Sequence, residues 1–392
     1  MKLRSTKEIL RRMLNCRCLL VFSILFLLLF SPAAILRASD LLDGLGDQRA
    51  IIEGVYGVDL SQYEDGPSSA DLSDGPAMSS PFSGGAVGGG SPSLQGLFGG
   101  DQSGYTTTTE DDEDGRIGRL KSMAEQGDDE AQYALGCRYE NGDGVEQDFT
   151  KAAEMYRKAA EQGHAEAQAL LGYFYKHGLG VTQDYVKAAE WFRKGSEQGS
   201  ALAQEHLGGC YENGRGVDQD YIKAAKWYRK AAEQGRTVAQ NNLGKLYYDG
   251  KGVDRDYDKA VKWYRKAVEQ GNSAAQNNLG MCYIQGNGVP QDNAKAAEWF
   301  QKAADQGLAW GQNNLAYCYE NGLGVSQDYI KAVELYREAA EQGNATAQYH
   351  LADCYEQGKG VSENKAKAIS WFRKAAEQNH EKAHEALKRL RE

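Results

Sequence analysis

The chain has 392 residues, a formal net charge of −10, seven cysteines and 46 glycines. Length alone predicts two or three globular domains, yet the charge is unevenly placed. Residues 1–39 carry seven Lys and Arg against Glu8 alone, residues 40–115 carry only Arg49 against a long series of Asp and Glu, and beyond Arg116 the signs nearly balance. A near-neutral body with interspersed charges lacks the net basic face that nucleic acid requires, so nucleic acid is excluded as the expected partner.

The first element is an apolar run, "LLVFSILFLLLFSPAAIL" from Leu19 to Leu36, behind a cationic stretch. Its densest part, Leu19 to Phe30, has signal-peptide length, with small residues at Ser31-Pro32-Ala33 and around Ala38 for cleavage. The whole run, about eighteen residues, is also long enough to span a bilayer. Residues 1–39 therefore read either as a cleaved signal peptide or as a retained single-pass membrane anchor. In both cases the preceding cations hold the N-terminus in the cytoplasm. The remainder is expected to be exported to a periplasm, a cell surface or the extracellular space.

Residues 40–115 read as a Gly/Ser/acid-rich disordered linker. The stretches Gly84-Gly85, Gly88-Gly89-Gly90 and Glu110-Asp111-Asp112-Glu113-Asp114 cannot bury enough apolar surface to offset their ordering entropy. Only Leu41 to Tyr63 has enough Leu, Ile, Val and Tyr for a short helix or a docking segment.

A period follows. Glu125-Gln126-Gly127 returns as Glu161-Gln162-Gly163, Glu197-Gln198-Gly199 and onward to Glu377-Gln378-Asn379, each step 36 positions without insertion. Within a unit, Ala167, Leu171 and Tyr175 share one face of a first helix. Gly172, in the column of Gly136, Gly208, Gly244 and Gly280, predicts close approach of a second helix. The first helix should stop at Gly178-Leu179-Gly180. Asp184 should then cap a second helix running from Lys187 to Gln198, with Trp191, Phe192, Ala188 and Ala189 buried and Glu190 paired with Lys194. The column Trp191, Trp227, Trp263, Trp299 and Trp371 reads as core, so Trp263→Ala is expected to cost about 3–5 kcal/mol. The pattern predicts an all-α solenoid of 36-residue helix-turn-helix repeats, seven over residues 116–379, closed by a capping helix at residues 380–392.

The unit, with Ala-Gln, Leu-Gly, a Tyr, Gly-x-Gly-Val, Gln-Asp, Lys-Ala, Trp-Tyr or Trp-Phe, and Lys-Ala-Ala-Glu-Gln-Gly at fixed places, resembles the Sel-one-like repeat, a relative of the tetratricopeptide repeat. The resemblance implies a right-handed superhelix of antiparallel helix pairs and a role as adaptor or scaffold in protein complexes. One cysteine-rich branch is associated with β-lactam binding and ties the two helices of each repeat by a disulfide. Here Cys210, Cys282, Cys318 and Cys354 share a single first-helix column with no second cysteine in the unit. They therefore read as small buried apolar residues.

Columns that vary on the first helix are the candidates for binding. Asn241-Asn242, Asn277-Asn278 and Asn313-Asn314 recur in three successive units, with Trp310 and Tyr317 nearby. Asn242, Asn278 and Asn314 are candidates to hydrogen-bond a peptide main chain, with Trp310 and Tyr317 as aromatic contacts; the alternative is that these asparagines bond the adjacent repeat. The chain ends with His380-Glu381-Lys382-Ala383-His384, a literal H-E-x-x-H. His380, however, falls in the column where each first helix begins, and no third ligand follows, so the motif reads as coincidence. No metal, cofactor or catalytic residue is expected. The expected function is a non-enzymatic, exported or membrane-anchored scaffold that binds a protein or extended peptide through its solenoid surface. The alternatives are a β-lactam-binding or hydrolysing enzyme, as in the cysteine-rich branch, and a purely structural spacer.

Overall fold

A computed structural model describes residues 113–391. Residues 1–112, with the apolar run Leu19 to Leu36 and nearly all of the expected linker, lie outside the described residues. Those described are helical throughout, without strands: α1 (Glu113–Glu125), α2 (Asp129–Asn141), α3 (Phe149–Glu161), α4 (Ala165–His177), α5 (Tyr185–Glu197), α6 (Ala201–Asn213), α7 (Tyr221–Glu233), α8 (Thr237–Asp249), α9 (Tyr257–Glu269), α10 (Ser273–Gln285), α11 (Asn293–Asp305), α12 (Ala309–Asn321), α13 (Tyr329–Glu341), α14 (Ala345–Gln357), α15 (Lys365–Glu377) and α16 (Glu381–Arg391). They are tandem helix pairs of an α-solenoid, seven pairs from α2/α3 to α14/α15, with α1 before and α16 after. The described chain forms two compact units, residues 113–306 and residues 307–391. Among the described residues no helix is long and apolar enough to cross a membrane.

Capping explains the boundaries. Each first helix follows the column of Asp128, His164, Ser200, Asn272 and Asn344, whose side chains accept the N–H three residues on, as Asp128 Oδ1 does from Ala131 at 2.7 Å. Arg236 and Leu308 hold the same column without a side-chain cap. Asp184 caps the second helix as expected, accepting from Lys187 N–H at 3.0 Å. That helix begins at Tyr185, two residues before the expected Lys187, because the residue after an N-cap is already helical. The Gly-x-Gly turn has two separate reasons. Gly178 ends α4 in the left-handed region (φ 70°). At Gly180 a Cβ would come within 2.1 Å of the Phe149 carbonyl oxygen of the preceding repeat.

The core is built from the second-helix aromatic one place after the tryptophan column, which holds Met155 and Leu335 in two repeats. Tyr156, Phe192, Tyr228, Tyr264 and Phe300 are fully buried in the first unit, as are Tyr336 and Phe372 in the second. The glycine column makes room for these rings, since a Cβ on Gly172 would lie 2.7 Å from Phe192 Cδ1. The tryptophan stripe is not the core. Trp191, Trp227, Trp263, Trp299 and Trp371 are half-buried, because one residue's rotation about the helix gives the innermost seat to the next ring. Each tryptophan carries a lysine over its face, Lys194 Nζ at 4.0 Å from the Trp191 ring and Lys266 Nζ at 4.4 Å from that of Trp263. Lys194 is thus engaged with the indole in a cation–π pair.

A glutamine ladder joins successive repeats. Gln168 Nε2 donates to the Ala160 carbonyl at 3.0 Å, while Gln198 Nε2 donates to Gln168 Oε1 at 2.6 Å. The side-chain pair recurs as Gln162–Gln132, Gln234–Gln204, Gln270–Gln240 and Gln306–Gln276, and in the second unit as Gln342–Gln312 and Gln378–Gln348. These amides satisfy buried carbonyls that would otherwise be orphaned where one pair meets the next.

Candidate functional site

The asparagine-rich columns lie where first helices meet. Asn278 is 5% exposed, and its Nδ2 donates to Asn241 Oδ1 of the preceding repeat at 2.9 Å. Asn241 in turn donates to Asn242 at 3.3 Å. In the second unit Asn314 is 1% exposed and accepts from Asn313 at 3.2 Å. Asn242, Trp310 and Tyr317 are half-buried and keep part of their surface in solvent. A ligand laid along a first helix therefore meets Asn242 in one unit, or Trp310 and Tyr317 in the other, while Asn278 and Asn314 sit beneath the surface.

Around these positions the first helices present half-buried side chains that differ from repeat to repeat. Tyr133, Tyr173, Lys245 and Tyr248 line the first unit, and Tyr349 joins Tyr317 in the second. Rings stack among them: Tyr133 on His164 with centroids 4.5 Å apart, and Tyr349 on His380 at 4.9 Å. Charge is held in pairs. Arg236 grips Glu205 with two nitrogens, at 3.1 and 2.9 Å, and Lys245 Nζ lies 3.4 Å from Glu212. Lys176 has its ammonium pKa pushed down by burial.

One recurring contact was not singled out from the sequence. A carboxylate near the end of the first helix accepts the hydroxyl of the buried second-helix tyrosine: Glu140 from Tyr156 at 2.5 Å, Glu212 from Tyr228 at 2.7 Å, and Glu320 from Tyr336 at 2.8 Å. Burial raises the Glu140 pKa, with the Tyr156 hydrogen bond opposing it. The signal was present in the chain. Where the second-helix ring is Phe192 or Phe300, the matching residue is Lys176 or Ile284 rather than Glu, while Phe372 keeps Glu356, which accepts from Arg389 instead. Tyr264 faces Tyr248 at that place, and its buried hydroxyl has no partner.

The cysteines Cys210, Cys282, Cys318 and Cys354 are buried and free. Burial pushes the Cys282, Cys318 and Cys354 thiols up to about 12, which removes the thiolate needed for reaction. The two halves of the H-E-x-x-H separate. His380 precedes α16 and stacks on Tyr349, whereas His384 lies inside the helix and is exposed. Among the described residues no group of three His, Cys, Asp or Glu side chains is placed to hold a metal ion. Within each unit the first helices offer aromatic faces and polar side chains, which suits recognition of a polypeptide surface.

The profile of the Sel1 repeat matches residues 129–164, 165–200, 201–235, 237–272, 273–308, 311–344 and 345–380. Among solved structures the chain is similar to a protective antigen of uropathogenic Escherichia coli displaying an SLR fold, at 43% identity and TM-score 0.59, over 70% of this chain and 59% of that one. It thus spans less than two thirds of that antigen. It is also similar to a Sel1 repeat protein from Oxalobacter formigenes, at 35% identity and TM-score 0.58, over 62% of this chain and 96% of that one. Among curated proteins, none matches the chain.

Proposed function

The chain belongs to the Sel1 repeat family, and from that premise we propose that it is an exported or membrane-anchored scaffold that holds a protein or an extended peptide on its first-helix wall. Proteins of this family generally act as non-enzymatic scaffolds for protein–protein interaction. One observation carries the choice of wall. The columns that build the repeat are buried and satisfied by one another, while the first-helix column that runs from Cys137 through Tyr173, Lys245 and Tyr317 to Asp353 changes identity at every step and is half-buried in all but Met281. A surface that varies over a constant frame is where specificity resides. In this reading Asn242 contacts the partner in the first unit and Trp310 and Tyr317 do so in the second, with Asn278 and Asn314 holding the frame beneath. The leader of residues 1–39 delivers the scaffold, and the acidic linker displays it.

Site-specific photo-crosslinking tests the reading. A benzophenone side chain placed at Asn242 or Tyr317 should give one discrete adduct in the producing cell. The same probe at exposed Arg193 or Lys158 on second helices should not. Equal adducts from both walls would reject the first-helix assignment, and none from either would favour a structural spacer. Mass spectrometry of the mature N-terminus reads the fate of the leader.

A further inference from the structure

The second helices carry a feature that the repeat frame does not need. Four positions before the lysine that lies over each tryptophan, the chain has Glu190 in α5 and Glu298 in α11. In α11 this acid pairs with Lys302 at 2.7 Å, and the matching Glu154 in α3 pairs with Lys158 at 2.8 Å. In α7 and α9, two consecutive repeats of the same unit, the acid is replaced by Lys226 and Lys262. Helix α7 then holds Lys223, Lys226, Arg229 and Lys230 against Glu233, and α9 holds Lys259, Lys262, Arg265 and Lys266 against Asp258 and Glu269. Like charges four apart destabilise a helix by a few tenths of a kcal/mol, so stability of the frame does not account for the exchange.

All six of Lys226, Arg229, Lys230, Lys262, Arg265 and Lys266 are exposed. They flank the half-buried Trp227 and Trp263, whose rings take Lys230 Nζ at 4.6 Å and Lys266 Nζ at 4.4 Å. One turn before Lys226, Ile222 is 72% exposed, an apolar side chain set among cations. A wall of this kind fits an acidic polypeptide that also carries apolar side chains.

We propose that this wall of α7 and α9 is the docking site for the chain's own residues 40–74. That stretch has nine Asp and Glu against Arg49 alone, interleaved with apolar residues as in Asp40-Leu41-Leu42-Asp43, Ile51-Ile52-Glu53 and Val58-Asp59-Leu60. Its carboxylates answer the lysines and arginines, and its aliphatic side chains answer Trp227, Trp263 and Ile222. The reach suffices. The 38 residues from 75 to 112 separate it from the start of α1, and a chain of that length extends to at most about 125 Å. The wall lies three to four repeats along the unit, on the order of 40 Å at about one helix diameter per repeat. Docking would occupy the second-helix wall and leave the first-helix wall free, so it is independent of the scaffold reading.

Zero-length carbodiimide crosslinking of the full chain, read by mass spectrometry, tests the assignment. Carboxylates of residues 40–74 should join Lys230 and Lys266 at low salt, independently of protein concentration, with yield falling at least tenfold in 0.5 M salt, at about a 4 Å Debye length. The double variant Lys226→Glu with Lys262→Glu restores the acid used by neighbouring repeats, so it should fold, as a matching circular-dichroism melt checks. It should lose these crosslinks by a similar factor. Crosslinks spread evenly over Lys158, Lys194 and Lys302, or unchanged in the variant, would overturn the proposal. Crosslinks that form only between isotopically distinct copies would overturn it in favour of a second chain as the occupant.

Discussion

The sharpest test of the fold concerns why one column is glycine. A methyl group at residue 172 would lie 2.7 Å from Phe192 Cδ1, 2.8 Å from Cε1 and 3.1 Å from the Ala188 carbonyl oxygen. Gly172→Ala gains about 1 kcal/mol of helix propensity and incurs overpacking of about 1–3 kcal/mol, for a net loss of about 0–2 kcal/mol. Phe192→Ala empties the space beside a residue with no side chain to collapse into it, so its cost should reach about 3–5 kcal/mol. In the Phe192→Ala background the ring is gone and the added methyl fills part of the void. Gly172→Ala should then stabilise by about 1 kcal/mol, a coupling of about 1–3 kcal/mol. The four proteins of the cycle are compared by urea unfolding followed by circular dichroism, fitted to a nearest-neighbour repeat scheme. Effects that add within about 0.5 kcal/mol would refute the ring as the reason for the glycine. In the second unit Ala316 and Ala352 occupy this column, so a methyl can be accommodated and the clash belongs at the low end of its range.

Trp263→Ala should cost about 1–2 kcal/mol, well below Tyr264→Ala, because a half-buried indole forfeits part of its burial and one cation–π contact; equal losses in urea unfolding would restore tryptophan to the core. Asn278→Ala leaves the Asn241 amide carbonyl without its donor and should lower stability by about 1–3 kcal/mol, whereas an unchanged urea midpoint would return Asn278 to the list of partner contacts. The pH dependence has a definite sign. Burial lowers the pKa of His350 from 6.5 to about 4, so above 6.5 neither state is protonated and the site contributes nothing. Below it only the unfolded chain takes the proton, and stability falls as pH drops, by about 2 kcal/mol between pH 7 and 5. His350→Gln should remove that share of the slope in urea titrations at the two pH values. His206, held neutral by burial, acts in the same direction. The Asp148, Asp184 and Asp220 caps have lowered pKa values, chiefly from the hydrogen bonds that the following lysine N–H donates. Their contribution is present above the unfolded value near 3.8 and is lost only as pH falls further, through the folded values, so a second drop in the titration should begin below about 4.

The repeat was legible because its constant columns are each tied to a local cause: glycine at a left-handed turn, aspartate at a cap, leucine and alanine on a buried face. Periodicity placed these without reference to any neighbour. Two columns were legible only as constants. Gln168 and Gln198 recur in every unit, but the reason is a bond between residues 30 apart, and a pattern in one helix does not display a partner in another. The tryptophans were misplaced for a related reason. Trp191 and Phe192 are adjacent large apolar residues, both compatible with a buried stripe, and only the glycine across the interface decides which ring enters. The asparagines show the same limit. Asn241 and Asn278 are polar residues on a variable column, which reads as a contact surface until their mutual hydrogen bond uses the amides inside the frame. What sequence leaves open, then, is the pairing between repeats, and pairing decides which variable side chains remain exposed. The glutamate beneath Tyr156, Tyr228 and Tyr336 follows that logic: it belongs to the frame when a hydroxyl reaches it, and where the ring is Phe192 the place passes to Lys176, a side chain under no such constraint. Beneath Phe192 that place should therefore be free to serve a partner through Lys176, whereas beneath Phe372 the retained Glu356 is taken up by Arg389 at 2.7 and 2.8 Å.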